Sequence, residues 1–274
     1  MMKTNTPHKV FILIVALTLM TQLTCRAQYT DCSTGLLQMP TADMQEDGTF
    51  MITNNFLNKH SLASSRWNYN TFQYGIGVSL WGRVEMSYVC TLVNGAWDTR
   101  PEEEKWERLR ILRNQDRHFT GRICLLREGE FGLAWMPALV VGVSDPVTGS
   151  GGGEYIGSDV DGDSEGNGFF NRNFVVLTKH FSTSMGRVGV HAGYQFNSRK
   201  DYYINAPCVG INWQPIWLQG GRVMDRFDII MEYDSRTINL GVIASVWENR
   251  FEAMLELQNF QWINFGLRFK LRLK

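Results

Sequence analysis

The 274-residue sequence contains no run of about twenty apolar residues, the length a helix needs to cross a bilayer. With a mean hydropathy of −0.21, that excludes a bundle of transmembrane helices. A transmembrane barrel stays open, because its strands hide their apolarity in alternation. Charge of one sign is also lacking, with 27 basic against 27 acidic residues, so no global basic field argues for a nucleic-acid partner. There is no CxxC and no Cys/His cluster, so neither a zinc site nor any cofactor is expected. No GxSxG nucleophile elbow occurs, and no linker divides the chain.

What is present begins with export. Lys3 and Lys9 precede the apolar run "VFILIVALTLM", and "CRAQ" follows. A basic start, an apolar centre and a small-residue cleavage site make a secretory signal. The cut is expected after Ala27, giving a signal peptide over 1–27. Four cysteines remain: Cys32, Cys90, Cys124 and Cys208. Four allow three disulfide connectivities. Only Cys32 with Cys124 looks reachable, and lone buried thiols are the preferred reading.

The body alternates. In the closing stretch "WINFGLRFKLRLK", Ile263, Phe265, Leu267, Phe269, Leu271 and Leu273 share one strand face, while Arg268, Lys270, Arg272 and Lys274 share the other. The same period recurs in about twelve runs, near 48–57, 69–80, 83–92, 118–126, 131–143, 171–181, 186–196, 205–217, 225–234, 237–247, 251–260 and 262–274. Alternating segments of about ten residues separated by turns mark an outer-membrane barrel. In the fifth run Pro137 removes a ladder donor and suggests a bulge, and the sixth, "RNFVVLTKHF", is blurred.

The connections support the same reading. With both ends of the barrel chain in the periplasm, the long segments 94–117 and 144–170 fall on the outer side, and short turns such as 81–82 and 182–185 fall in the periplasm. A soluble β-sandwich would alternate equally well, but it needs only about 100–150 residues, and twelve strands would make two of them. The expectation is therefore an all-β transmembrane antiparallel barrel over 47–274, preceded by a short segment over 28–46. Its partner would be outer-membrane lipid.

On this reading lipid takes the apolar face, and the charges line a neutralised, hydrated lumen: Glu85, Arg122, His191, Asp228, Glu232, Asp234, Glu252, Glu256, Arg268, Lys270 and Arg272. Glu252 and Glu256 are expected to pair across the ladder with Arg268, Lys270 and Arg272.

Two stretches carry a resemblance. "CSTGLLQMPTADMQEDGTF" (32–50) holds Gly35, Leu36, Pro40, Thr41, Ala42 and Gly48. "MEYDSRTINLGV" (231–242) holds Glu232, Tyr233, Asp234, Asn239 and Gly241. Together they resemble the YjbH family, outer-membrane β-barrel proteins tied to exopolysaccharide and capsule production. The resemblance implies a role in that process, with polysaccharide and other exopolysaccharide-assembly proteins as partners, and transfers no catalytic residue. It further implies a charged turn of Glu232, Asp234, Arg236 and Asn239 near the outer rim. Residues 28–46 either plug the periplasmic mouth or simply lead into the first strand.

Other chemistry is sparse. His60, His118, His180 and His191 survive processing, and only His191 sits at the lumen-facing centre of a strand. "SDVDGDSEGNG" (158–168) spaces aspartates as calcium loops do, but both registers fail at a required ligand or glycine. Residues 99–117 have helical spacing and Glu/Arg pairs and are expected as a short surface helix. Four functions are weighed: a non-enzymatic exopolysaccharide or capsule component, a small-solute porin, a barrel enzyme acting on lipid or glycan, and a structural surface protein.

Overall fold

In the computed structural model, the described residues are 30–61, 69–94, 112–146, 170–197, 203–220 and 224–273. They form a closed barrel of twelve antiparallel strands, each paired with its chain neighbours and β1 with β12. The strands are β1 (Thr49–Leu57), β2 (Thr71–Leu80), β3 (Val84–Asn94), β4 (Leu112–Leu126), β5 (Ala138–Ser144), β6 (Arg172–Thr183), β7 (Gly186–Phe196), β8 (Asn205–Pro215), β9 (Arg226–Tyr233), β10 (Ile238–Val246), β11 (Phe251–Gln258) and β12 (Trp262–Arg272). No helix among the described residues is long and apolar enough to cross a membrane.

Alternation makes the wall two-faced. On β12, Leu267 points outward, 47 % exposed, while its neighbour Arg268 points inward and is fully buried. On β2, Ile76 is 48 % exposed, and Gln73 and Ser79 are buried. The outward face is a wall of Ile, Leu, Val, Phe and Met, which water would penalise and lipid would not.

Closure runs from Thr49↔Arg272 to Phe56↔Phe265. The Phe56 and Phe265 rings stack across this seam at 4.9 Å, an offset aromatic contact between the two ends of the barrel sequence. Closing the sheet leaves no unpaired edge. Gly48 opens β1 with φ +71, and a Cβ there would lie 2.2 Å from the Leu273 carbonyl oxygen. No other residue fits that seam.

Some expectations need correction. The fifth strand starts at Ala138, not 131, and Pro137 sits just before it instead of within a bulge. The β4–β5 ladder is instead irregular on the β4 side, between Cys124 and Leu126. Residues 112–117 are extended as the first part of β4, not helical; 99–111 and the aspartate-rich 158–168 lie outside the described residues. The preferred reading of the cysteines needs no correction: Cys32, Cys90, Cys124 and Cys208 are all free and buried.

Candidate functional site

The lumen is filled. Residues 30–46 lie inside the barrel, with Asp31, Cys32, Leu37, Met39 and Thr41 fully buried. The segment folds back on itself: Gly35 and Pro40 form an antiparallel bridge, and the Leu36 amide donates to the Met39 carbonyl at 2.8 Å. The hairpin tip is apolar, and so is what surrounds it. Leu36, Leu37, Met39 and Ala42 form one cluster with Phe174 and Val176 of β6 and with Cys208, Ile230, Ile243 and Met254. Small residues on the wall admit the segment. At Gly77 a Cβ would stand 2.6 Å from the Cys32 carbonyl oxygen. Leu37 packs over Gly241, and Leu36 over Gly210.

A chain threaded through a lumen exposes peptide groups that no ladder satisfies, so the wall must supply partners. Charged side chains do so: Arg172 donates to the Gln38 carbonyl at 3.2 Å and Arg268 to that of Ser33 at 3.4 Å, and Glu232, Glu85 and Arg122 make several bonds each. The Glu232 carboxylate accepts the amides of Leu37 at 2.9 Å, Gln38 at 2.7 Å and Met39 at 3.3 Å. Asn239 also donates to Glu232, at 3.0 Å. Glu85 accepts the Thr34 amide at 3.0 Å, the Thr34 hydroxyl at 2.7 Å and the Gln45 amide at 2.6 Å. The Arg122 guanidinium donates to the carbonyls of Thr34 and Thr41, and to that of Asp43 at 2.7 Å. Arg122 and Glu85 also face each other at 3.7 Å. The two stretches that carry the family resemblance thus meet: Glu232 and Gly241 hold the 36–39 turn.

Other charges pair within the wall. Glu252 pairs with Lys270 at 2.6 Å, Arg226 at 2.7 Å and Arg268 at 3.8 Å. Asp228 pairs with Arg226 at 2.8 Å and accepts from Asn212 and Gln214. Asp234 accepts the amides of Arg236 at 3.0 Å and Thr237 at 2.7 Å, closing the β9–β10 turn. Tyr233 ends β9 beside it.

Two expected pairings do not form. Glu256 lies opposite Asn264 and binds that residue at 3.1 Å and Gln38 at 2.8 Å, not a cation of β12. Arg272 reaches the barrel mouth, 63 % exposed, and pairs with Glu46 at 2.5 Å. The lumen at this level is packed with protein, not open to a broad water column.

Sequence reasoning passed over several residues of the site. Asp31 is held by Arg172 at 2.5 Å and by His118 at 3.4 Å. Thr178 on β6 accepts the Ala42 amide at 2.7 Å and bonds His191 Nδ1 at 2.9 Å. His191 Nε2 meets Asn212 Oδ1 at 3.0 Å. His180 reaches Glu128 at 2.5 Å and Asp43 at 3.5 Å. The period-two face of β6 places Thr178 and His180 inward, but Phe174 and Val176 on the same face disguise it.

The model of the YjbH family, described as exopolysaccharide biosynthesis protein YbjH, matches residues 28–159. No curated protein matches the sequence.

Proposed function

From a chain whose residues 28–159 are YjbH-family sequence, we propose a non-enzymatic outer-membrane component of exopolysaccharide or capsule assembly and export. It reaches the membrane through a cleaved signal peptide over 1–27. The barrel stands in lipid through its apolar outer face, and polysaccharide or other assembly proteins meet its ends. The observation that carries this reading is the docking of a family-matched segment, 30–46, on buried wall charges: a built closure, not a chance lead-in.

That closure weighs against a general porin, whose lumen has to stay open. It also weighs against an enzyme. Thr178 and His191 stand together as a nucleophile and base would, but both are buried beneath Ala42, where no substrate reaches them.

The test is a clean in-frame deletion, with surface and periplasmic polysaccharide quantified separately. Surface loss with periplasmic accumulation supports a role at the export step, and loss in both compartments supports a role in assembly. Unchanged polysaccharide in both compartments overturns the reading and makes a structural membrane protein the better one.

A further inference from the structure

Asp43 on the lumen segment, His180 on β6 and His191 on β7 each bring one ligand atom within 4.8 Å of the others. We propose that these three residues bind a divalent transition-metal ion of the zinc class, which fastens the lumen segment to the barrel wall. Two imidazoles and one carboxylate are a donor set that suits zinc, cobalt or nickel over calcium or magnesium.

The geometry supports it at three points. His180 Nε2 stands 3.5 Å from Asp43 Oδ1. A tetrahedral ion with bonds of about 2.0–2.1 Å holds its ligand atoms about 3.3 Å apart, so this pair already has the spacing. His180 Nε2 is buried with no hydrogen-bond partner, a donor atom aimed at the cluster. Finally, both rings are oriented as metal-ligating histidines are, with the far nitrogen given to an oxygen. His180 uses Nδ1 on Glu128 Oε2 at 2.5 Å. His191 uses Nε2 on Asn212 Oδ1 at 3.0 Å.

The proton positions follow from Asn212. Its amide nitrogen donates to Asp228 Oδ1 at 2.7 Å, which leaves Asn212 Oδ1 as the acceptor for His191 Nε2–H. The lone pair of His191 is then on Nδ1, beside Thr178 Oγ1 at 2.9 Å. An ion takes that lone pair, and the Thr178 hydroxyl keeps the Ala42 amide at 2.7 Å. Because Asp43 belongs to the segment and the histidines to the wall, binding links the two and favours the docked state.

The experiment is a Zn2+ titration by calorimetry of the untagged, EDTA-washed full barrel folded in detergent, with Co2+ absorption as the coordination readout. The expected result is one ion per chain and the visible bands of a four-coordinate N/O site. Asp43→Asn and His180→Gln should each weaken binding by about tenfold or more. His60→Gln, at an exposed position, should not. Asp43→Asn changes the segment and not a wall strand, so it stays informative if a histidine variant misfolds. Absence of stoichiometric Zn2+ binding by the folded chain, or equal affinity in Asp43→Asn, overturns the proposal.

Discussion

Glu232 on β9 accepts the backbone amide of Leu37 at 2.9 Å, so a carboxylate late in the chain holds a turn near its start. The same carboxylate takes the Gln38 and Met39 amides. Removing it leaves buried N–H groups without a partner, which costs about 1–3 kcal/mol each and more where the acceptor was charged. Glu232→Ala should therefore weaken docking of residues 30–46 by about 3 kcal/mol. Hydrogen exchange at the amides of 37–39 reads it directly, with exchange at Lys270, whose amide bonds the Arg250 carbonyl at 2.7 Å, unchanged.

Arg122 binds three carbonyls of the segment and faces Glu85. Arg122→Met keeps the volume and strands an unpaired buried carboxylate, a loss of about 3–5 kcal/mol. The urea midpoint of the folded barrel should fall accordingly. Replacing both residues together, Arg122→Met with Glu85→Gln, should recover part of the loss, since no lone charge then stays buried.

The outer face is tested at Leu267, 47 % exposed in the middle of β12. In a bilayer Leu267→Arg should cost about 2–4 kcal/mol and reduce assembly into liposomes. Detergent folding should suffer less. An equal loss in both media would argue against a lipid-facing wall.

At the β4–β5 turn, the Arg127 amide and then the Arg83 guanidinium hold the Glu130 carboxyl below its ordinary range. A lowered folded-state pKa stabilises above the unfolded value and loses that contribution as pH falls through the folded one. An NMR titration should therefore place the Glu130 midpoint below the ordinary glutamate value of about 4.3. The turn should loosen only below that pH, and Arg83→Ala should move the midpoint back upward.

Period two carried the wall. Strands such as β7 and β12 lie where alternation puts them, because each has an apolar outer face and a polar inner one. Alternation failed where the inner face is apolar too. On β6, Phe174 and Val176 point inward and pack against Leu36, Leu37 and Met39, so the run "RNFVVL" reads as blurred. Pro137 misled in another way, since the chain uses 131–137 to turn before β5 begins.

The site was legible as faces, not as contacts. Alternation turns Glu85, Arg122 and Glu232 inward, but their partners are backbone groups of 34–45, which no local pattern announces. Glu256 shows the limit most clearly: counting along β12 suggests a cation, and the ladder register presents Asn264.

Residues 30–46 fill the lumen, with Asp31, Cys32, Leu37, Met39 and Thr41 fully buried. Conductance of the purified barrel in planar bilayers tests whether that filling closes the barrel, comparing the full chain with one lacking 31–45. The full chain is expected to stay closed and the shortened one to open steady channels while keeping its folded gel mobility. Equal conductance from both, with the full chain already open, would contradict it.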